Sequence, residues 1–125
     1  MVEILVVLLI TAILAAIGLP LFLNQRAKAQ DADAKAVATV AAGAFEVYHQ
    51  EHDDFAGAGV ADLERLEPSL KEARGLTIDS TGDTYTITVA SGSGNGPFTI
   101  ERKLDDTTRT CGRPGEGGCP DSGEW

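Results

Sequence analysis

The residues able to do chemistry are few and scattered. His49 and His52, with Asp53 and Asp54 behind them, bring imidazoles and carboxylates close together in sequence. Their spacing does not suit a helix-borne metal site: H-E-x-x-H separates its histidines by four residues, whereas H-Q-E-H separates them by three. A solvated helix end is the better reading. Asp79 and Asp83 flank Ser-Thr-Gly, and oxygens in such a loop suit calcium; a plain turn is preferred. Serine, histidine and aspartate are all present, yet no nucleophile elbow or other triad context surrounds a serine. Cys111 and Cys119 enclose C-G-R-P-G-E-G-G-C. This suits a small disulfide loop in an oxidising compartment, and two cysteines with two histidines leave little for a closed structural zinc site. The threonine-rich strands and Ser91-Gly-Ser93 are candidate carriers of O-linked sugars, and no Asn-x-Ser/Thr sequon occurs. No catalytic residue, metal or cofactor is expected. That leaves Glu3, a carboxylate at the edge of an apolar run, which is costly in such a place unless paired. It is read either as an ordinary solvated flank residue or, the preferred reading, as the partner of the free α-amino group of an adjacent copy. At about 4 Å the gross attraction is about 4 kcal/mol for an effective dielectric of about 20, before desolvation is subtracted.

The elements that position these residues are easier to read. The chain has 125 residues, a formal charge of −9 and 43% hydrophobic residues. One domain is the prior at this length. The acidic balance argues against nucleic acid as the main partner, and the apolar content argues against disorder.

Ile4 to Leu23 runs twenty residues without a charge. As a helix it spans about 30 Å, the thickness of bilayer hydrocarbon. A cleaved secretory signal fits poorly, because no Lys or Arg precedes the run and Glu3 stands where a basic region belongs. A core helix apolar on every side would need a larger protein around it. Arg26, Lys28 and Lys35 follow the span, which by the positive-inside rule keeps the remainder in the cytoplasm. That conflicts with a disulfide. A basic leader upstream of Met1 resolves the conflict.

Asn24 to Glu51 holds nine alanines between Ala27 and Ala44 and no proline, a strong helix composition. Val37, Val40, Ala41, Ala44, Val47 and Tyr48 recur at three and four, with Phe45 beside them, and predict one apolar stripe. Lys35, Thr39, Glu46 and His49 are placed opposite. The span and this stretch are read as one helix of about 48 residues, about 70 Å long.

From Asp53 to Trp125 the chain carries 14 acidic and 7 basic residues and most of the Gly, Pro, Ser and Thr. Val60–Leu66 and Pro68–Arg74 read as short helical turns. Leu76–Asp79, Thr84–Ala90 and a segment from Phe98 through Arg102 read as three strands of an antiparallel meander. Tyr85, Ile87, Val89, Phe98 and Ile100 form its apolar face, for which the helix stripe supplies a cover. The expected division is residues 1–23 as apolar transmembrane or filament-core segment, 24–52 as amphipathic helix, and 53–125 as a globular head. The fold class is α+β.

Glu3 to Pro20, E-I-L-V-V-L-L-I-T-A-I-L-A-A-I-G-L-P, resembles the N-terminal signature of type IV pilins and the related pseudopilins. The specific similarities are the glutamate before the apolar run and Ile-Leu-Ala-Ala-Ile-x-Leu-Pro at Ile13 to Pro20. The resemblance implies a long helix whose first half is apolar and whose second half packs on an antiparallel sheet. It implies a precursor in the cytoplasmic membrane, cleaved by a prepilin peptidase and N-methylated, that an assembly machinery polymerises with copies of itself into a pilus at the cell surface. It gives Glu3 the amine partner already described, with a second role in methylation. The assembly residues are then Glu3, Leu5, Leu8, Leu9, Ile13, Leu14, Ile17, Gly18 and Pro20.

Two features depart from the family. Its glutamate is fifth in the mature chain and here it is third, so two residues and a leader are expected before Met1. Many members carry a glycine where Ala12 stands, and this chain has Gly18. Proline lacks an amide and clashes with the preceding turn, so with Gly18 it predicts a helix weakened somewhere between Ala12 and Pro20. The leading expectation is a structural pilus subunit. The alternatives are a pseudopilin of a type II secretion or DNA-uptake apparatus and a monomeric membrane-anchored binding module, with a soluble enzyme a distant fourth.

Overall fold

Alanine, leucine and valine are the commonest of the first fifty residues, and in the computed structural model, which describes residues 1–125, this stretch forms a single helix. This is α1, Val2–His52, 51 residues, about 77 Å long at 1.5 Å per residue. It ends at Asp53, which takes a left-handed conformation (φ 62°) while its amide donates to the His49 carbonyl at 2.7 Å. That closes the last turn in the manner of an αL cap.

In the expected weak stretch between Ala12 and Pro20, α1 is helical without interruption through Gly18 and Pro20. Proline removes one donor, and the strong helix formers around it hold the remaining ladder.

After α1 comes α2, Val60–Leu66, whose start is fixed by the Gly59 amide donating to Asp62 Oδ2 at 3.1 Å. Pro68 stops it by forcing Glu67 into an extended conformation, and a 3-10 turn, Pro68–Glu72, follows. Then β1 (Leu76–Ser80), β2 (Thr84–Val89), β3 (Phe98–Lys103) and β4 (Asp106–Cys111) pair in sequence order as an antiparallel meander. The fold is α+β, with a long N-terminal helix against a small antiparallel sheet.

The fourth strand is a correction to the three read from sequence. Asp-Thr-Thr-Arg-Thr-Cys has no apolar alternation, and every residue of β4 except Cys111 is exposed. Pairing to β3 from Phe98↔Cys111 to Lys103↔Asp106 defines it. So do contacts from the C-terminal segment, where the Cys111 amide donates to the Gly123 carbonyl at 2.9 Å and the Trp125 amide to that of Arg109 at 3.2 Å.

Tyr85, Ile87, Val89, Phe98 and Ile100 are all buried on one sheet face, as the alternation requires. The helix face opposite them is Ala34, Ala38, Ala41, Ala44, Phe45 and Tyr48. This shifts the expected stripe. Val40 and Val47 are exposed, and Val37 is only partly buried. A sheet can approach a helix closely where the side chains between them are small, so three alanines at positions 34, 38 and 41 take the contact, Val37 packs at its edge, and Val40 and Val47 point away. Phe45 then stacks on Tyr85 (ring centroids 4.3 Å apart) and meets Phe55 edge-on at 5.9 Å. Leu63 of α2 and Leu70 of the 3-10 turn close the core on the remaining side.

The two sheet ends differ. Both hairpin turns, β1–β2 and β3–β4, lie with the C-terminal end of α1: the Phe55 amide donates to the Gly82 carbonyl at 3.0 Å, and Arg102 pairs with Glu46. This end is called the tip. The β2–β3 loop and the disulfide loop lie at the other end, the base, where α1 leaves the head.

Candidate functional site

Two structures on α1 are candidates for function: its uncovered first half, and the contact that fastens the head where that half begins.

In the uncovered half every residue from Met1 to Leu23 is exposed. Leu5, Leu8, Leu9, Ile13, Leu14 and Ile17 each keep more than half of their surface free. They do not make one patch. Leu5, Leu9 and Ile13 run along one side at steps of four, while Leu14 lies half a turn away from Leu5 at 100° per residue. The surface is apolar all round, so it needs cover from every direction. Its length and hydropathy suit a membrane crossing, with none of the apolar window buried. Gly18 and Pro20 lie in the same exposed stretch. Glu3 is exposed in the first turn, where a carboxylate complements the helix dipole. It forms no ion pair within the chain.

The second structure centres on Asp31, fully buried and not singled out by any sequence motif. Ser91 donates to its Oδ1 at 2.6 Å and Ser93 donates to the same oxygen. Asn95 Nδ2 donates to Oδ2 at 3.1 Å, and the Gly118 amide to Oδ2 at 2.8 Å. Burial pushes the carboxyl pKa upward, but these four donors outweigh it and hold the pKa below the ordinary 3.8. Asp31 is therefore a charged acceptor with both oxygens occupied.

One turn on, Lys35 donates to the Gly118 carbonyl and lies 5.6 Å from the Phe98 ring centre and 5.8 Å from that of Trp125. A carboxylate and an ammonium four residues apart thus grip the two sides of one glycine in the disulfide loop. The glycines there are required. A Cβ on Gly118 would lie 2.7 Å from Asp31 Cβ, and one on Gly117, at φ +57°, would lie 2.5 Å from Asp31 Oδ2. The Cys111–Cys119 disulfide is formed, with Cα atoms 5.8 Å apart, and holds this loop against the helix. The β2–β3 loop and the disulfide loop are in this way both fastened to α1 at one residue.

Asp31 was legible in principle. It stands three residues before Ala34 and seven before Ala38, so it continues the buried stripe as a charge where apolar residues belong. The Ser-Gly-Ser-Gly-Asn-Gly loop supplies the donors that such a charge needs. Lys35 and Glu46, placed opposite the stripe from sequence, in fact face the head, and Glu46 pairs with Arg102. Long side chains at the stripe's margins reach around to polar partners.

The remaining candidates do not converge. His49 packs against Phe55 at 4.7 Å between ring centres, and His52 stacks on Tyr48 at 4.1 Å while its Nδ1 meets the Tyr48 carbonyl at 3.1 Å. Asp79 stands on the outer sheet face opposite Thr86, and Asp83 lines a shallow cleft at the tip with His49 and Arg102. The Ser91 and Ser93 hydroxyls donate to Asp31, at the far end of the head from the histidines. What the arrangement does is mechanical: it seats a head firmly on a helix whose first half is left bare.

Comparison with family models, with curated proteins and with solved structures returns no match to this chain. The likeness that stands is one of architecture: a long N-terminal apolar helix, a small antiparallel sheet packed on its second half and a C-terminal disulfide resemble a pilin fold.

Proposed function

We propose that this chain is a structural subunit that polymerises with copies of itself into an extracellular filament of the type IV pilus kind, through the apolar half of α1. One observation carries the reading: a helical surface about 30 Å long, apolar on every side, is left bare by a head that is otherwise packed and fastened. Lipid covers such a surface before assembly, and a bundle of identical helices covers it afterwards. Moving from one to the other keeps the apolar surface out of water, worth about 25 cal/mol per Å². Association of helices side by side with an axial offset is heterologous and non-closing, so it builds a filament rather than a ring. Glu3 supports the offset, because a carboxylate in that bundle needs a cationic partner and has none in its own chain.

In this reading the subunit is held in the cytoplasmic membrane, is processed by a prepilin peptidase and is extracted by a pilus assembly machinery to the cell surface. The role is not enzymatic. A second reading, a monomeric membrane-anchored module, draws on the same span.

Electron microscopy of material sheared from cells making the native protein tests the choice, together with intact mass and N-terminal sequencing. The expected result is filaments containing this chain with a processed, methylated N-terminus. A chain that stays in the membrane fraction, monomeric in detergent and never in sheared filaments, supports the anchored module instead.

A further inference from the structure

One cavity lies outside both structures described above. It holds about 300 Å³ and opens on one flank of α1, between the helix and the segment that leaves the 3-10 turn. Ala34 and Val89, both buried, and the partly buried Val37 give it an apolar wall. Asp33, Glu72 and Arg74 also line it, all three exposed and none in an ion pair within the chain. Two carboxylates against one guanidinium leave the mouth acidic. An apolar wall beside an acidic mouth fits a long basic side chain, whose methylenes lie along the wall while the cation stays with the carboxylates.

The cations of α1 divide between its two flanks. At about 100° per residue Arg26 lies about 20° from Asp33 around the helix, on the cavity's own side. Lys28 lies about 140° from Asp33 and about half a turn from Val37, on the other side. Lys35, two turns on from Lys28, shares that other side and is held at the Gly118 carbonyl. Lys28 is exposed and in no ion pair. Parallel copies set side by side, with their sheets turned the same way about a common bundle, bring one flank of each against the opposite flank of the next.

We infer that Lys28 of one copy enters this cavity on its neighbour, with its ammonium at Asp33 and Glu72. The occupant is a second copy of this chain, because the cavity and the free lysine stand back to back on one helix and each copy offers both halves of the contact. Such a contact is heterologous, and an axial step between copies keeps it from closing into a ring. Lys28 and Asp33 are five residues apart on α1, about 8 Å along its axis. Copies offset by that step keep about 27 Å of their bare segments alongside each other. The inference rests on the assembly reading above and adds its lateral register.

The test uses filaments sheared from cells making the full-length chain. A carbodiimide, which joins an amine to a carboxylate in direct contact, is expected to link Lys28 to Asp33 or Glu72, identified as a joined peptide by mass spectrometry. Lys28 points away from the cavity of its own chain, so this link joins two copies. K28E is expected to lower filament yield about tenfold, since it sets a third carboxylate against two others. R26E changes the net charge equally on the wrong flank and should stay within about twofold of wild type. K28E/D33K reverses the pair and should recover much of the yield. Unchanged melting of the detergent-solubilised chain confirms that each variant is folded. Filaments without a Lys28 link, or equal yields from K28E and R26E, overturn the docking while assembly stands. Cells that make the native chain and shed no filaments overturn the assembly reading and the docking with it.

Discussion

From Ile4 to Leu23 α1 touches no other part of the chain, and from Asp31 to Tyr48 it is covered by strands, by α2 and by two loops. The helix is the same element in both stretches, with the same backbone and no break. What differs is side-chain size and pattern. The bare half carries large apolar residues on every side. The covered half carries alanines where it meets the sheet and reserves Phe45 and Tyr48 for the upper core. Large residues all round cannot be buried by one small sheet, whereas small residues on one face let a sheet come close. The first half thus requires partners outside the chain and the second finds them within it. The Asp31–Lys35 grip stands where one regime gives way to the other.

Substitutions can break this contrast at graded cost. The largest effect is expected at Phe45→Ala, which empties the space between Tyr85 and Phe55. The head should lose about 3–5 kcal/mol, read from denaturant unfolding, because the surrounding core cannot collapse fully into the space the ring leaves. An effect below about 1 kcal/mol would show that the head does not depend on the helix for its core.

Asp31→Asn should cost less, about 1–3 kcal/mol near neutral pH, since the amide keeps the shape but loses the charge that four donors address. It also has a pH signature. The folded Asp31 has a pKa lowered from 3.8, so its contribution is complete above the unfolded value of about 3.9 and is lost as pH falls through the folded value. Wild-type stability should decline below about pH 4, and part of that decline should be missing in Asp31→Asn. Equal acid sensitivity of the two proteins would remove Asp31 from the account.

The smallest effect on the head is expected from Leu9→Ala in the bare half, within about 0.5 kcal/mol of wild type, since the residue contacts nothing folded. The same change should lower detergent binding or polymer yield. A large loss of head stability would mean that the two halves are not independent.

Much of this was legible beforehand. The apolar run, the helix through Glu51, both short helical turns, three strands and the cysteine loop follow from period, propensity and punctuation, which act between near neighbours. β4 was not legible, because Thr107 to Thr110 carry no apolar alternation and acquire strand geometry from β3 and the C-terminal segment. The candidate assembly residues from Glu3 to Pro20 were readable as a type of surface, whereas the latch at Asp31 was not read at all.

The sequence alone determined that α1 forms and that its first half is too apolar for water, since both depend on composition within a few turns. Only the tertiary structure decided which face of the second half is buried, that Lys35 and Glu46 turn toward the head, and that Asp31 joins two loops distant from it in the chain. The physical reason is that facing and pairing are properties of two surfaces at once. Ala34 and Ala38 are buried because the apolar face of β2 and β3 packs on this side of α1, and a buried carboxylate persists at position 31 only because Ser91, Ser93, Asn95 and Gly118 converge on it.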